Sequence, residues 1–313
     1  MKKEDKILIT GGRGMVGKNL ILKLRNLGFE NLIFPSMKEL DLRNREEVFQ
    51  FFNQEKIDYV FHLAAKVGGI KSNMNNPVEY LRDNLLLNTN IIDACYKFKI
   101  KKLINLGSSC IYPKNCLQPM KEEDLLSGKL EPTNEGYALS KICSLKLCKY
   151  YNEQYGTNFI SLMPPNMYGE YEKFDEEHSH VLAALLKRFH EAKINGDNYI
   201  SVWGTGDVKR EFLYVGDMVE GLIFSMDKLK VENLVNNCFL NCGSGEEISI
   251  KELAFKIKEI VGFEGEIKFD VNKPEGMVRK LLDSSRFNFL SFRHEINLEE
   301  GIKKTYEYFK KEF

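Results

Sequence analysis

Apolar residues fall along this chain in two rhythms: short unbroken runs, and longer segments in which they return every third or fourth position. Ile7 to Thr10 is the first short run and predicts a buried strand. Behind the glycine cluster that follows, Val16, Leu20, Leu24 and Leu27 keep helical spacing, so the chain opens as strand, turn and helix. Further strands are expected at Asn31 to Phe34, Tyr59 to Leu63, Lys102 to Leu106 and Asn158 to Met163, with a helix-like segment between each pair. Alternation of this kind implies an α/β fold on a parallel, doubly wound sheet. The longest helix is expected after Asn76-Pro77, an N-cap followed by proline at the first turn, and runs to about Phe98; a second runs from Gly136 to about Tyr155.

After Pro164-Pro165 the pattern loosens. Gly169 to Ser179 is polar and acidic, and the chain is expected to leave the sheet there. A helix at Val181 to Ala192, strands at Tyr199 to Trp203 and Phe239 to Cys242, and helices at Ile250 to Val261 and Glu299 to Lys311 complete the outline. With no internal repeat, linker or low-complexity tract, the second half reads as a smaller α/β cap built from excursions.

Composition narrows the partners. The 313 residues are 43% apolar and 29% charged, enough for one or two globular domains with a sizeable core. Forty-five basic residues balance forty-five acidic ones, which removes the field that would draw the protein to nucleic acid or an anionic membrane. No apolar stretch approaches the roughly 18 residues that span a bilayer, and the N-terminus lacks a secretory apolar core, so a cytoplasmic protein with small-molecule partners is expected. Seven cysteines without a Cys-x-x-Cys pair and five histidines without ligand spacing indicate neither a disulfide framework nor a metal site.

Gly11, Gly14 and Gly17 stand three apart between the first strand and its helix. The first suits a tight turn, the second lets backbone approach a pyrophosphate, and the third permits close helix–strand packing, which points to a dinucleotide site that includes Met15 and Val16. The second strand ends in Phe34-Pro35-Ser36-Met37-Lys38, without the carboxylate that usually binds a ribose 2'-hydroxyl. Ser36, Lys38 and Arg13 suit a 2'-phosphate instead, which favours NADP(H) over NAD(H). Asp41 and Leu42 would then lie near the adenine, and Leu63, Ala64 and Ala65 would pass under the dinucleotide.

Tyr137 and Lys141 sit one helical turn apart, and Ser108 ends a strand. Tyr and Lys at this spacing are by themselves a common solvated helix face. Behind a dinucleotide site they become a set able to move a proton at an oxygen while the neighbouring carbon exchanges hydride, with Lys141 favouring the phenolate and Ser108 binding the substrate oxygen.

In this order and spacing, the glycine pattern, His62-Leu63-Ala64-Ala65, Ser108 and Tyr137-x-x-x-Lys141 resemble the extended short-chain dehydrogenase/reductase family and its Rossmann-type fold. Lys66-Val67-Gly68-Gly69-Ile70, Gly107 to Pro113, Glu131-Pro132-Thr133-Asn134-Glu135, Ser179-His180-Val181, Val202 to Gly206 and Arg210 to Leu213 look more narrowly like the GDP-L-fucose synthase family. The resemblance spans nearly the whole chain. It implies NADPH-dependent reduction at C4 of a GDP-4-keto sugar, preceded in that family by epimerisation at C3 and C5. It assigns Cys110 as base and His180 as acid in that first step, and residues whose free pKa values are about 8.5 and 6.5 suit such a pair. It also implies sugar and nucleotide contacts from Ser109, Asn166, Arg188, Trp203, Arg210 and Lys280, and cofactor contacts from Pro164, Asn166 and Met167. A homodimer formed through the two long helices is expected on the same ground. The expected division is 1–165 with 211–245 for the cofactor, and 166–210 with 246–313 for the GDP-sugar.

The chain departs from the family at Pro164-Pro165-Asn166 and at Glu170 to Phe174, both expected beside the sugar. A GDP-4-keto-heptose reduced without epimerisation is therefore the alternative substrate reading. A non-catalytic dinucleotide sensor is the alternative from another class, and it would be expected to lack the intact Ser108, Tyr137 and Lys141.

Overall fold

Ile7, Leu8 and Ile9 are all fully buried because their strand lies inside a sheet covered on both faces. The computed structural model describes residues 1–174, 180–234, 239–273 and 277–313. Its first half runs β1 (Ile7–Thr10), α1 (Met15–Asn26), β2 (Leu32–Ile33), α2 (Arg45–Glu55), β3 (Tyr59–His62), α3 (Ile70–Asn75), α4 (Pro77–Lys97), β4 (Lys102–Leu106), α5 (Glu135–Tyr155) and β5 (Phe159–Met163). The second half runs β6 (Asn166–Tyr168), α6 (Val181–Asn195), β7 (Tyr199–Trp203), β8 (Lys209–Tyr214), α7 (Val215–Lys228), β9 (Phe239–Asn241), β10 (Glu247–Ser249), α8 (Ile250–Val261), β11 (Glu266–Asp270), β12 (Arg279–Lys280), α9 (Ser285–Phe289) and α10 (Leu298–Glu312).

The main sheet has the order β2-β1-β3-β4-β5-β9, and every pairing in it is parallel. Side chains alternate between two cores, as a strand's two-residue period requires. Ile7, Ile9, Phe61 and Ile104 pack with Leu20 and Leu24 of α1 and Met218 and Leu222 of α7. Leu8, Val60 and Leu103 pack with Val48 and Phe52 of α2 and Ile91, Ile92 and Cys95 of α4. Strand order reverses between β1 and β3, which puts a crevice at their carboxyl ends, where ligands bind in open α/β sheets.

The cap is organised around β8, which pairs in parallel with β6 and β12 and antiparallel with β10, while β7 and β11 form a separate parallel pair. As one continuous strand, β8 crosses the expected division between residues 210 and 211. Most expected elements lie within a residue or two of their places. Helix α7 is an addition that periodicity alone did not single out, since Gly216 and Gly221 interrupt its apolar stripe. The cap strands β6, β10 and β12 are too short to carry a period. Asn76 occupies the N-cap of α4, but its amide donates back to the Ser72 carbonyl at 3.0 Å and makes no side-chain cap. Among the described residues, no helix is long and apolar enough to cross a membrane.

Candidate active site

The glycine loop fits a dinucleotide from both sides. Gly11 holds φ +72°, and a Cβ there would stand 2.8 Å from the Ala64 nitrogen; a Cβ on Gly17 would stand 2.4 Å from the Gly11 oxygen. These two glycines are required by the protein's own packing. Gly14 differs, because its Cβ would meet only the Gly11 oxygen at 3.4 Å. It is the N-cap of α1, with no side-chain cap and no carboxylate in the first turn. The free N–H groups and positive dipole end of α1 therefore suit a pyrophosphate. Val16 is buried behind the loop, and Met15, Leu63, Ala64 and Ala65 line it half-buried.

A short relay holds the crevice floor. The Ala64 N–H donates to the Thr10 hydroxyl at 3.3 Å, which lies 2.7 Å from His62 Nδ1, while His62 Nε2 lies 2.9 Å from the Asn88 side-chain oxygen. Burial, with the Lys141 charge adding to it, pushes the His62 pKa down to about 3, so the ring is neutral. With Nε2–H donating to Asn88, the Thr10 hydroxyl is the donor to Nδ1.

At the end of β2 the structure corrects the sequence reading. A carboxylate is present: a tight turn in which Glu39 and Leu40 donate to the Ser36 carbonyl brings Glu39 back to accept the Ser36 N–H at 2.7 Å. The same carboxylate pairs with Arg13 at 3.3 Å, so Arg13 and Ser36 do converge, but around Glu39, and Lys38 stays exposed. Asp41 is held by Arg43 through bonds of 2.7 and 2.9 Å, which keep its carboxyl below the usual range, and the Leu42 carbonyl accepts from Asn90.

Ser108, Tyr137 and Lys141 meet at the mouth of the crevice. The Ser108 hydroxyl accepts the Cys110 N–H at 3.2 Å and lies beside the Tyr137 phenol, where it favours the ionised form. Contrary to expectation, Lys141 does not lower the phenol's pKa here. Burial raises it, the neighbouring Cys110 adds to the rise, and only Ser108 opposes them. The reason is geometric: the buried Lys141 ammonium donates to the Leu106 carbonyl at 2.7 Å and lies 5.9 Å from the Tyr137 ring centroid. Desolvation brings its own pKa down to about 8.

Beside them lies a second centre. Cys110 Sγ accepts from Asn134 Nδ2 and from Lys280 Nζ, each at 3.3 Å. Burial works to raise the thiol's pKa, but Lys280, Ser108 and Asn134 together bring it below its ordinary value. His180 is the N-cap of α6 and is exposed; partial desolvation and then the Lys280 charge lower its pKa. Ser179, its neighbour in the sequence motif, lies outside the described residues. Ser109 is buried and donates its N–H to the Pro164 carbonyl at 3.0 Å, next to half-buried Asn166 and Met167 on β6.

The expected nucleotide cations are spread along the cap. Arg188 donates to the Ser201 carbonyl, Arg210 to the Lys209 carbonyl at 2.8 Å, and Trp203 is exposed beneath Lys273. Lys280, expected beside a diphosphate, is held on Cys110. The departing segment Glu170 to Phe174 packs into the cap. Glu170 accepts the Tyr214 hydroxyl at 2.7 Å, Tyr171 packs on Tyr308, and Phe174 is buried against Phe309, so this stretch builds the cap core.

Sequence reasoning gave no role to Asn134, although it stands inside a quoted motif, nor to Glu211. That buried carboxylate accepts the Leu282 N–H at 2.9 Å and the Gly245 N–H at 2.7 Å, and so ties the segment after β12 to β8, two residues from Lys280. Burial outweighs those bonds and pushes its pKa up to about 7.

Comparison with known proteins agrees with this geometry. The sequence profile of the NAD dependent epimerase/dehydratase family matches residues 7–238. GDP-L-fucose synthase 1 of Arabidopsis thaliana is 46% identical over 309 residues, covering 99% of this chain and 94% of that protein. The crystal structure of a GDP-6-OMe-4-keto-L-xylo-heptose reductase from C. jejuni superposes with a TM-score of 0.96 at 35% identity, covering 100% of this chain and 99% of the other. MlghC, a GDP-mannoheptose C4 reductase from Campylobacter jejuni with NADP bound, superposes at 0.92 with 37% identity over 99% of both chains. The chain belongs to the NAD dependent epimerase/dehydratase family and, within it, to the GDP-L-fucose synthase family.

Proposed function

We propose that this protein is an NADPH-dependent reductase of the C4 keto group of a GDP-4-keto sugar. The observation that carries the reading is the meeting of Ser108, Tyr137 and the buried Lys141 at the mouth of a crevice whose glycine loop fits a pyrophosphate. When bound, NADPH supplies the hydride for C4. Gly11, Gly14 and Gly17 make room for the dinucleotide, Lys38 receives its 2'-phosphate together with Arg13 and Ser36 once Glu39 swings off them, and Lys141 reaches its ribose. Tyr137 donates the proton to the C4 oxygen. A half-buried phenol whose pKa desolvation raises stays protonated at neutral pH, which is the state a proton donor needs. Ser108 hydrogen-bonds the same oxygen as negative charge builds on it.

Epimerisation at C3 and C5 belongs to the same pocket in this reading. A keto group at C4 acidifies both neighbouring C–H bonds; Cys110 removes a proton as thiolate, and His180 returns one on the opposite face. Arg188, Arg210 and Trp203 receive the GDP. A heptose in place of a 6-deoxyhexose is the second reading, favoured by the similarity to the C. jejuni heptose reductases. The protein works in the cytoplasm as a homodimer through α4 and α5, whose outer faces expose Val78, Leu86, Leu139 and Tyr150. A monomer in sedimentation at micromolar concentration would contradict that assembly.

Tyr137→Phe is the direct test. The variant should fold and bind NADPH as the wild type does while losing about 100-fold or more in reduction rate. Turnover close to the wild type's would refute the assignment.

A further inference from the structure

The glycine loop and the end of β2 meet closely: a Cβ on Gly12 would stand 2.6 Å from the Phe34 Cβ. Arg13 and Ser36, just beyond these two residues, therefore face one space beside the crevice, where the adenine ribose of a dinucleotide lies on a sheet of this kind. Glu39 fills that space with a negative charge. Its Oε2 accepts the Ser36 N–H at 2.7 Å and Arg13 Nη2 at 3.3 Å. An exposed ion pair such as Arg13–Glu39 holds little by itself, but the backbone also places this carboxylate. The Glu39 and Leu40 N–H groups donate to the Ser36 carbonyl at 3.0 and 2.9 Å and turn the side chain back onto Ser36. The Ser36 amide and hydroxyl, and then Arg13, keep the carboxyl below its usual range, so it is ionised at neutral pH. Both bonds go to one oxygen, and Oε1 keeps lone pairs for a further donor. Asp41, the other acid of this stretch, differs in that Arg43 occupies one of its oxygens at 2.9 Å and the other at 2.7 Å.

We infer that Glu39 sets the choice between NADPH and NADH, because it holds the 2'-phosphate site with the chain's own carboxylate. The inference rests on the dinucleotide site of the proposed reduction. A 2'-phosphate is drawn to the same two donors, and like charges at hydrogen-bond distance repel, so NADPH must move the carboxylate off them. A 2'-hydroxyl makes the opposite demand. It is a donor, and Glu39 can accept it through Oε1 without leaving Arg13 or Ser36. The same side chain thus weakens NADPH and strengthens NADH, and it keeps the preference for NADPH below what Arg13, Ser36 and Lys38 would give alone.

Glu39→Gln tests this. The amide oxygen can still accept the Ser36 N–H, so the turn is kept, while the negative charge is gone and the new N–H groups can donate to a phosphate. Dissociation constants for NADPH and NADH are read from nicotinamide fluorescence with no sugar present. Their ratio should move toward NADPH by about 10-fold, the worth of one hydrogen bond to a charged group. Glu46→Gln, which removes an exposed acid of the first turn of α2, is the control for net charge and should leave the ratio where it is. A ratio that is unchanged or moves toward NADH, or an equal loss with both dinucleotides, would make Glu39 a turn residue only and overturn the inference, leaving the reduction intact. An equal shift in Glu46→Gln would reduce the effect to net charge and overturn it as well. A wild type that binds neither dinucleotide would sink the cofactor site of the proposed reduction, and this inference with it.

Discussion

Lys280 and Asn134 both aim N–H donors at Cys110 Sγ, and these bonds stabilise the thiolate over the thiol. Lys280→Met removes a positive charge and a donor, so the Cys110 pKa should rise toward that of an ordinary buried thiol. The sign follows directly: with a higher pKa, less thiolate is present at neutral pH, and any step that needs it moves to more alkaline pH. Alkylation of Cys110 by iodoacetamide reports this without substrate, and its pH midpoint should rise in the variant. An unchanged midpoint would show that Lys280 does not act on the thiol. Little of this was visible in the sequence, because Lys280 stands 170 residues from Cys110 and reaches it only through the pairing of β12 with β8. The glycines were legible for the opposite reason, since Gly11, Gly14 and Gly17 act within one turn. Glu39 was missed because its role depends on a turn that folds it back three residues, and the stretch Phe34 to Lys38 showed only what lay before the turn.

At the scale of elements, β1, β3 and α4 are joined by the Thr10–His62–Asn88 relay, which sets the floor under the cofactor loop. His62 is neutral in the fold, with a pKa of about 3, against about 6.5 in the unfolded chain. The folded pKa is depressed, so the stability this site contributes is complete above pH 6.5 and is lost as pH falls from there toward 3. An unfolded chain binds the proton that the folded site refuses, and the slope reaches at most about 1.4 kcal/mol per pH unit for one group. The urea midpoint should therefore fall between pH 7 and pH 5, and fall less in His62→Gln; an equal drop in both proteins would remove His62 from the account. Strands and long helices were legible because each carries a full hydrophobic period, as β4 and α8 show. Helix α7 was not, although the buried Lys102 ammonium closes its C-terminal end by donating to the carbonyls of Ser225 at 2.6 Å and Met226 at 2.9 Å. That lysine lies within an expected strand, and nothing local to it announces the helix it caps.

For the whole molecule, the parallel sheet and the position of its crevice followed from alternation along the chain, and the chemistry followed from motifs that converge there. The cap did not follow so readily. Its centre is β8, which collects β6, β10 and β12 from segments of two or three residues, and only tertiary pairing makes strands of them. The aromatic residues of Glu170 to Phe174 pack on α10 within the cap core, a contact across about 135 residues that local sequence does not announce. The central claim is that this crevice and Tyr137 together deliver hydride and proton to C4 of a GDP-4-keto sugar. Incubation with such a sugar and NADPH deuterated at C4 of the nicotinamide measures it most directly. The account predicts NADPH oxidation with the deuterium at C4 of the product; no oxidation, or deuterium at any other carbon, would contradict it.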